Sequence, residues 1–197
     1  MKRKFKLITS VASLCLAVAL MAFGVYAASK PTVTINGTVS FSAEKVMADV
    51  TVTKGSAADE AALTYAADGI KLGAVAGNVA NLTAADNANK EFNDVNVELN
   101  DTTTVAGIKV VIKNTFAAGS KSTVKITAAT LPSTTEAGVT VSIKNGEAAW
   151  DGTTEIVLNA QQEATITIIV TVDPAVANAS VNVPIAPVFT LERGAQA

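Results

Sequence analysis

The stretch QQEATITIIVTVDP, residues 161–174, alternates apolar and polar side chains almost without interruption. Four apolar residues fall on one face of the extended chain: Ile166, Ile168, Val170 and Val172. This period of two predicts a half-buried β-strand, and residues 164–172 would extend over about 30 Å. Ile169 stands among threonines on the opposite face, so we expect an insertion of the chain or another subunit to cover it.

Similar strand-like segments occur along the chain with turn signals between them: residues 31–41, 46–53, 95–99, 106–114, 122–128, 139–143, 154–158 and 181–191. Asn-Gly pairs at 36–37 and 145–146 predict two hairpins. Pro184 and Pro187 in the last segment predict an edge strand or an irregular one. Short strands at this spacing predict an all-β fold, a single antiparallel β-sandwich of the jelly-roll or immunoglobulin-like type.

Residues 54–93 have a different texture, because they are rich in Ala, Gly and Asn and show weak periodicity. We interpret this segment as a less regular insertion within the sandwich, not as a separate domain. A short helix is predicted near residues 57–67, and small strands are predicted near Ile70 and Val79.

Residues 1–27 carry the features of a secretory signal peptide. Basic residues precede a long apolar run, and Ala27 closes a signal-peptidase site. Cys15, the single cysteine, lies within that run, so the processed chain would have no disulfide. We expect one domain at residues 28–197, secreted or held at the surface of a bacterium, because small exported eukaryotic domains usually carry disulfides. An uncleaved anchor is the alternative, since the apolar run could span a bilayer.

Charge excludes two classes of partner. Cleavage after Ala27 removes four of the 15 basic residues and leaves 11 against 17 acidic ones. The processed chain is therefore acidic and has no basic run. We expect it to bind neither nucleic acid nor an anionic membrane surface.

The side chains available for catalysis are few. The chain contains no histidine, which excludes Ser-His-Asp and Cys-His arrangements and histidine-ligated zinc. Without Cys15, thiolate chemistry is excluded as well. Ser42 and Lys45 match an S-x-x-K pattern but lie between strand-like segments, whereas that motif acts on a helix. The sequence therefore predicts a protein that is not an enzyme and has no cofactor.

The sequence offers two weaker candidates for a binding site. Asp94, Glu98 and Asp101 are oxygen-bearing candidates for calcium, although residues two apart on a strand lie about 7 Å from each other and favour a solvated face. Trp150 precedes an Asp-Gly turn and is a candidate for stacking on a sugar. Its alternative is a place in the core or at the rim of the sandwich.

The order of segments resembles a known family. GIKVVIKNTFAAGSKSTVKITAATLP at 107–132 is followed by VTVSI and by the long strand closed by Asp-Pro, as in immunoglobulin-like modules of bacterial surface proteins. With the signal peptide and INGTVSFSAEKVMADVTVT at 35–53, the chain is similar to the TasA/camelysin family of biofilm-matrix proteins. The resemblance implies a jelly-roll fibre subunit that polymerises when the N-terminal strand of one molecule completes the sheet of its neighbour.

The processed N-terminus has the properties that such donation requires. An extended terminus can pair with an open sheet edge through main-chain hydrogen bonds. We expect the donor segment to be Thr32, Val33, Thr34 and Ile35. The expected partners are copies of the chain or other components of the cell surface or matrix. The alternative function is an extracellular polysaccharide-binding module that uses Trp150.

Overall fold

The computed structural model describes residues 32–66, 70–72, 79–82, 88–173 and 181–195, and it confirms the all-β fold. The predicted signal segment, 1–27, lies outside the described residues. Two sheets form a β-sandwich. The described strands are β1 (Val33–Glu44), β2 (Ala48–Ala57), β3 (Lys71–Leu72), β4 (Val79–Leu82), β5 (Ala88–Leu99), β6 (Val105–Asn114), β7 (Ser122–Thr130), β8 (Val139–Asn145), β9 (Ala148–Ala149), β10 (Ile156–Leu158), β11 (Glu163–Val172), β12 (Val181–Ile185) and β13 (Val188–Ala195).

One sheet has six antiparallel strands in the order β4-β2-β6-β11-β8-β9. β11, which lies within residues 161–174, is an interior strand of this sheet. Ile168 lies between Ile108 of β6 and Ile143 of β8. The prediction for β11 is confirmed, because its alternating apolar residues are buried on the inner face.

The other sheet has seven strands, with β10-β7-β13-β1-β5-β3 in order and β12 also paired with β1. β1 runs antiparallel to β5 but parallel to β12 and β13. The sequence predicts an antiparallel sandwich, and this sheet differs from that prediction only where β1 pairs in parallel with β12 and β13. The first and last described strands of the chain are neighbours.

Aromatic side chains concentrate in one part of the core. Phe41 stacks on Phe189 with 5.3 Å between ring centroids, and Phe92 meets Phe41 edge-on at 5.7 Å. Trp150 extends this group, because its ring stacks on Phe189 with 6.2 Å between the two ring centroids. These rings join β1, β5 and β13 to the chain that follows β9.

The predicted hairpin at Asn36-Gly37 is wrong, because β1 passes through this pair without turning. The glycine allows a close approach instead. A β-carbon at Gly37 would overlap the carbonyl oxygen of Ile185 on β12, and a glycine inside a strand often marks such a contact or a bulge. The second predicted hairpin is confirmed, since β8 and β9 are joined at Asn145-Gly146.

The proline-containing segment 181–191 is irregular, as predicted, because the strand breaks between Ile185 and Val188. Only its first half has an edge position. Among the described strands β12 pairs with β1 alone, so the missing N–H of Pro184 can face away from a partner. β13 is interior, between β1 and β7.

The predicted helix near residues 57–67 is wrong for the part that the structure describes. Residues 58–66, which we call the strap, run as turns and irregular chain. The Thr104 hydroxyl donates to the Ala58 carbonyl at 2.7 Å, and Lys144 pairs with Glu60. The small strands expected near Ile70 and Val79 are confirmed as β3 and β4.

The strap lies on the outer face of the six-stranded sheet. Leu63 and Tyr65 occupy the space that a side chain at Gly107 would need, and Gly107 is the cross-strand partner of Ile169. Lys109 lies over the Tyr65 ring at 4.8 Å from its centroid. Ile169 is buried on this face, so the insertion provides the cover expected from the sequence.

Candidate functional site

The first half of β1 fills a position between two other strands. Residues 33–37 pair with residues 181–185 of β12 on one side and with residues 95–99 of β5 on the other. We call this position the β1 slot. Strand pairing on both sides holds residues 33–37 in one register, and the side chains of Val33 and Ile35 are buried in the core.

The predicted donor residues lie in the slot of their own chain. Val33 and Ile35 point into the core, and Ile35 is 0% exposed. Thr32 and Thr34 are half-buried, with Thr34 on the outer face opposite Glu98. The structure thus shows the segment completing its own sheet, in the arrangement that a donated segment from a second copy would have to reproduce.

Lys54 supports the β5 side of the slot. Its ammonium donates to the main-chain carbonyls of Asp94 at 3.2 Å and Asn96 at 3.0 Å. Lys54 therefore occupies two main-chain acceptors of β5. Sequence reasoning missed this role, because a lysine in a strand pattern carries no local sign of its long-range partner.

The three calcium candidates are not brought together. Asp94 and Glu98 are exposed on the outer face of β5, and Asp101 lies in the turn that follows. Asn100 organises that turn by accepting hydrogen bonds from the main-chain N–H groups of Thr102 and Thr103. Among the described residues, no group of three His, Cys, Asp or Glu side chains could hold a metal ion.

Trp150 belongs to the core. It is 7% exposed, its ring is nearly parallel to Phe189, and its indole N–H donates to the Thr154 carbonyl at 2.8 Å. The side chain therefore leaves no exposed indole face on which a sugar could stack. The alternative place in the core, weighed from the sequence, is the one observed.

Asp151 fixes the turn that holds the Thr154 carbonyl under this indole. Its carboxylate accepts hydrogen bonds from the N–H groups of Thr153 and Thr154, both at 2.9 Å, and from the Thr153 hydroxyl at 2.8 Å. The Thr154 N–H, then the Thr153 hydroxyl and N–H, lower the pKa of Asp151 from 3.8 to about 2. The folded chain thus favours the charged carboxylate.

We predict that Asp151→Asn flattens part of the acid dependence of stability. Because the folded pKa is depressed, the stabilisation by the carboxylate is present above about pH 4 and is lost as the pH falls towards 2. Melting temperatures measured from pH 5 to pH 2 should fall less steeply for Asp151→Asn than for the natural chain. Thr153→Val removes one of these hydrogen bonds and should raise the pKa of Asp151 part of the way back towards 3.8. Identical acid profiles for Asp151→Asn and the natural chain would contradict the prediction.

Parts of β5, β8 and β12 have no further described strand beside them, and they carry features that hinder edge-to-edge pairing. Lys54 covers carbonyls of β5, and Pro184 removes a donor from β12. On β8, the main-chain N–H of Trp150 donates to the Ile143 carbonyl at 2.9 Å, so this carbonyl is already paired. Natural sheets use charges, prolines and covering segments of this kind to prevent uncontrolled strand addition.

Comparison with known proteins adds little to the fold. No protein-family model and no curated protein matches the chain. A variant of the major pilin from Streptococcus pyogenes is 11% identical, with 83% of this chain and 48% of the pilin covered and a TM-score of 0.16. The yeast delta-COP-I mu-homology domain is 6% identical, with 83% and 95% covered and a TM-score of 0.17.

The chain spans less than half the length of the pilin, and TM-scores this low do not indicate a shared fold. In the part of the chain that the structure describes, no helix has the length and hydropathy needed to cross a membrane.

Proposed function

We propose that this protein is an exported structural subunit of a bacterial cell-surface or matrix fibre, assembled when copies exchange the first half of β1. The observation that carries the proposal is the β1 slot. An N-terminal segment of the chain fills an interior position whose two neighbouring strands come from residues 95–99 and 181–185.

Exchange conserves the contacts of the slot. When residues 33–37 leave their own slot and enter that of a second copy, the same pairs with β5 and β12 form again. Each copy within such an assembly donates its own segment to one neighbour and receives the segment of another. Only the two end copies are unmatched, one with an empty slot and the other with a free segment. Such a head-to-tail contact does not close on itself unless the rotation allows a ring, so it builds a filament.

The closed monomer opposes exchange through burial. Burying a Val or Ile side chain fully contributes about 1.5–3 kcal/mol, so withdrawing Val33 and Ile35 costs about 3–6 kcal/mol before main-chain hydrogen bonds are counted. Exchange is therefore slow in a folded monomer, and mild denaturant speeds it. The hindrance at the uncovered parts of β5, β8 and β12 favours this route over pairing of whole sheets at these positions.

Composition supports a role without catalysis. The absence of histidine, and of cysteine outside residues 1–27, removes imidazole bases, thiolate nucleophiles, and the imidazole and thiolate ligands of metal sites. The alternative, a polysaccharide-binding module, has lost its main support because Trp150 is buried.

Mixing two single-cysteine variants of residues 28–197 tests the proposal. Thr34 and Glu98 are register partners on the outer face, so Thr34→Cys in one copy and Glu98→Cys in another become neighbours only if β1 crosses between copies. We expect filaments by negative-stain microscopy and a 34–98 disulfide-linked peptide between copies by mass spectrometry.

Thr34→Cys mixed with Glu155→Cys is the matched control, because Glu155 is also exposed but lies beside β7, far along the sheet from β1. This mixture should give no defined cross-link between positions 34 and 155. Protein that stays monomeric at all concentrations, or filaments without the 34–98 link, would refute exchange of β1.

A further inference from the structure

Strand pairing changes along a line that crosses β5 and β1 and passes between β12 and β13. On β1, the register with β5 shifts between Gly37 and Val39. On the other side of β1, β12 ends at Ile185 and β13 begins at Val188. On β5, Asp94 has a positive φ of 64° at the same level. We call this line the fault.

The fault separates β1 into two halves with different partners. Residues 33–37 pair with β12 and with residues 95–99. Residues 40–44 pair with β13, and residues 40–43 also pair with residues 88–91. Pairing of the second half is continued outward, because β13 is bonded in turn to β7. The first half has only β12 beyond it among the described strands.

Two hydrogen bonds lie at the fault. The Ser40 N–H donates to the Pro187 carbonyl at 3.0 Å, and the Thr38 hydroxyl donates to the Asn93 side-chain oxygen at 3.1 Å. Both lie on the side of Gly37 towards the second half of β1. Gly37 lacks a side chain and can absorb a change of backbone direction.

The second half of β1 is also anchored in the core more heavily than the first. Phe41 packs between Phe92 and Phe189, and these three rings are among the largest fully buried side chains. The first half contributes only Val33 and Ile35 to the core. Local opening is expected where fewer buried contacts hold the chain.

We propose that the fault is the hinge of strand exchange: residues up to Gly37 leave and enter slots as one unit, while residues 40–44 stay in their own sheet. This inference rests on the proposed function and names its exchanged segment. The occupant of an opened slot is the same short segment of a second copy, with a valine and an isoleucine alternating at positions 33 and 35. The linker between subunits is then the chain about residues 37 and 38, because Val39 is 0% exposed and pairs with Phe92.

Two disulfides in separate variants of residues 28–197 test the hinge. Thr34→Cys with Glu98→Cys joins the first half of β1 to β5. Ser42→Cys with Asn89→Cys joins the second half of β1 to the same strand. Facing residues on antiparallel strands lie at Cα distances that a disulfide accepts. All four residues lie away from the core, and the segment 28–197 has no other cysteine.

We expect the oxidised 34–98 variant to lose filament formation and to regain it after reduction with dithiothreitol. The oxidised 42–89 variant should form filaments at the rate of its reduced form. Loss of filaments in both oxidised variants would overturn the hinge while leaving exchange of β1 intact. Filaments from both would overturn the hinge and the proposed exchange together.

Hydrogen exchange of the monomer gives a second measurement that needs no filament. Amides of residues 33–37 should exchange together, about tenfold or more faster than those of residues 40–44, because the first half opens alone. Equal protection of the two halves would overturn the hinge even if the protein never polymerised.

Discussion

Replacement of Asn114 by Ala lowers the free energy of unfolding by about 3 kcal/mol or more. Asn114 ends β6 and is 0% exposed. Its side-chain amide donates to the carbonyls of Leu158 at 2.9 Å and Ser122 at 3.3 Å, and its oxygen accepts the Phe116 N–H at 2.9 Å. Alanine would leave three main-chain groups without their partner, at about 1–3 kcal/mol for each buried group.

Urea unfolding followed by circular dichroism measures this loss as a lower midpoint at an unchanged slope. Asn89→Ala, at an exposed position of β5, is the matched control and should change stability by less than about 0.5 kcal/mol. Asn114→Asp keeps an acceptor for Phe116 but loses both donors, so it should also destabilise. A midpoint for Asn114→Ala equal to that of the control would mean that the side-chain network contributes nothing.

The second large effect is expected at Phe189. Substitution by Ala removes the ring that stacks on both Phe41 and Trp150, and deletions of this size in a core cost about 3–5 kcal/mol. The loss is expected to reach the upper part of that range, because Phe189 is 0% exposed and lies on an interior strand. Unfolding by urea measures it.

Trp150 supplies a separate readout for this variant, because it is the only tryptophan of the chain. With Phe189 removed, one face of the indole loses its stacking partner, so the native-state emission should shift before any unfolding. Val157→Ala, at a side chain that is 47% exposed on β10, should leave both emission and stability nearly unchanged. A Phe189→Ala variant as stable as this control would show that the aromatic group is not a unit of the core.

The fold class could be predicted because alternation is a local property of each strand. In β11, every second residue from Ala164 to Val172 faces the core, and the pattern alone shows it. The parallel pairing of β1 with β12 and β13 could not be predicted in this way. It joins residues more than 140 positions apart along the chain, and neither segment carries a local sign of its partner.

The Asn-Gly pair at 36–37 shows where local signals are ambiguous. The same dipeptide makes a hairpin at 145–146 and continues a strand at 36–37, where a carbonyl of β12 approaches the glycine. Of the candidate residues, Val33 and Ile35 lie on the buried face of β1, in agreement with their spacing of two, but their partners depend on the whole sheet. Trp150 and the carboxylates of β5 could be resolved only by burial and distance.

Neighbouring first and last strands have a kinetic consequence. A chain made from its N-terminus cannot complete the seven-stranded sheet until residues 181–195 emerge, so β1 waits with one side unpaired. Sheets closed by such distant segments fold slowly, and half-paired strands in waiting chains are prone to join one another. The order of synthesis therefore opens a period in which β1 strands of two incomplete chains can pair with each other more easily than those of two finished chains.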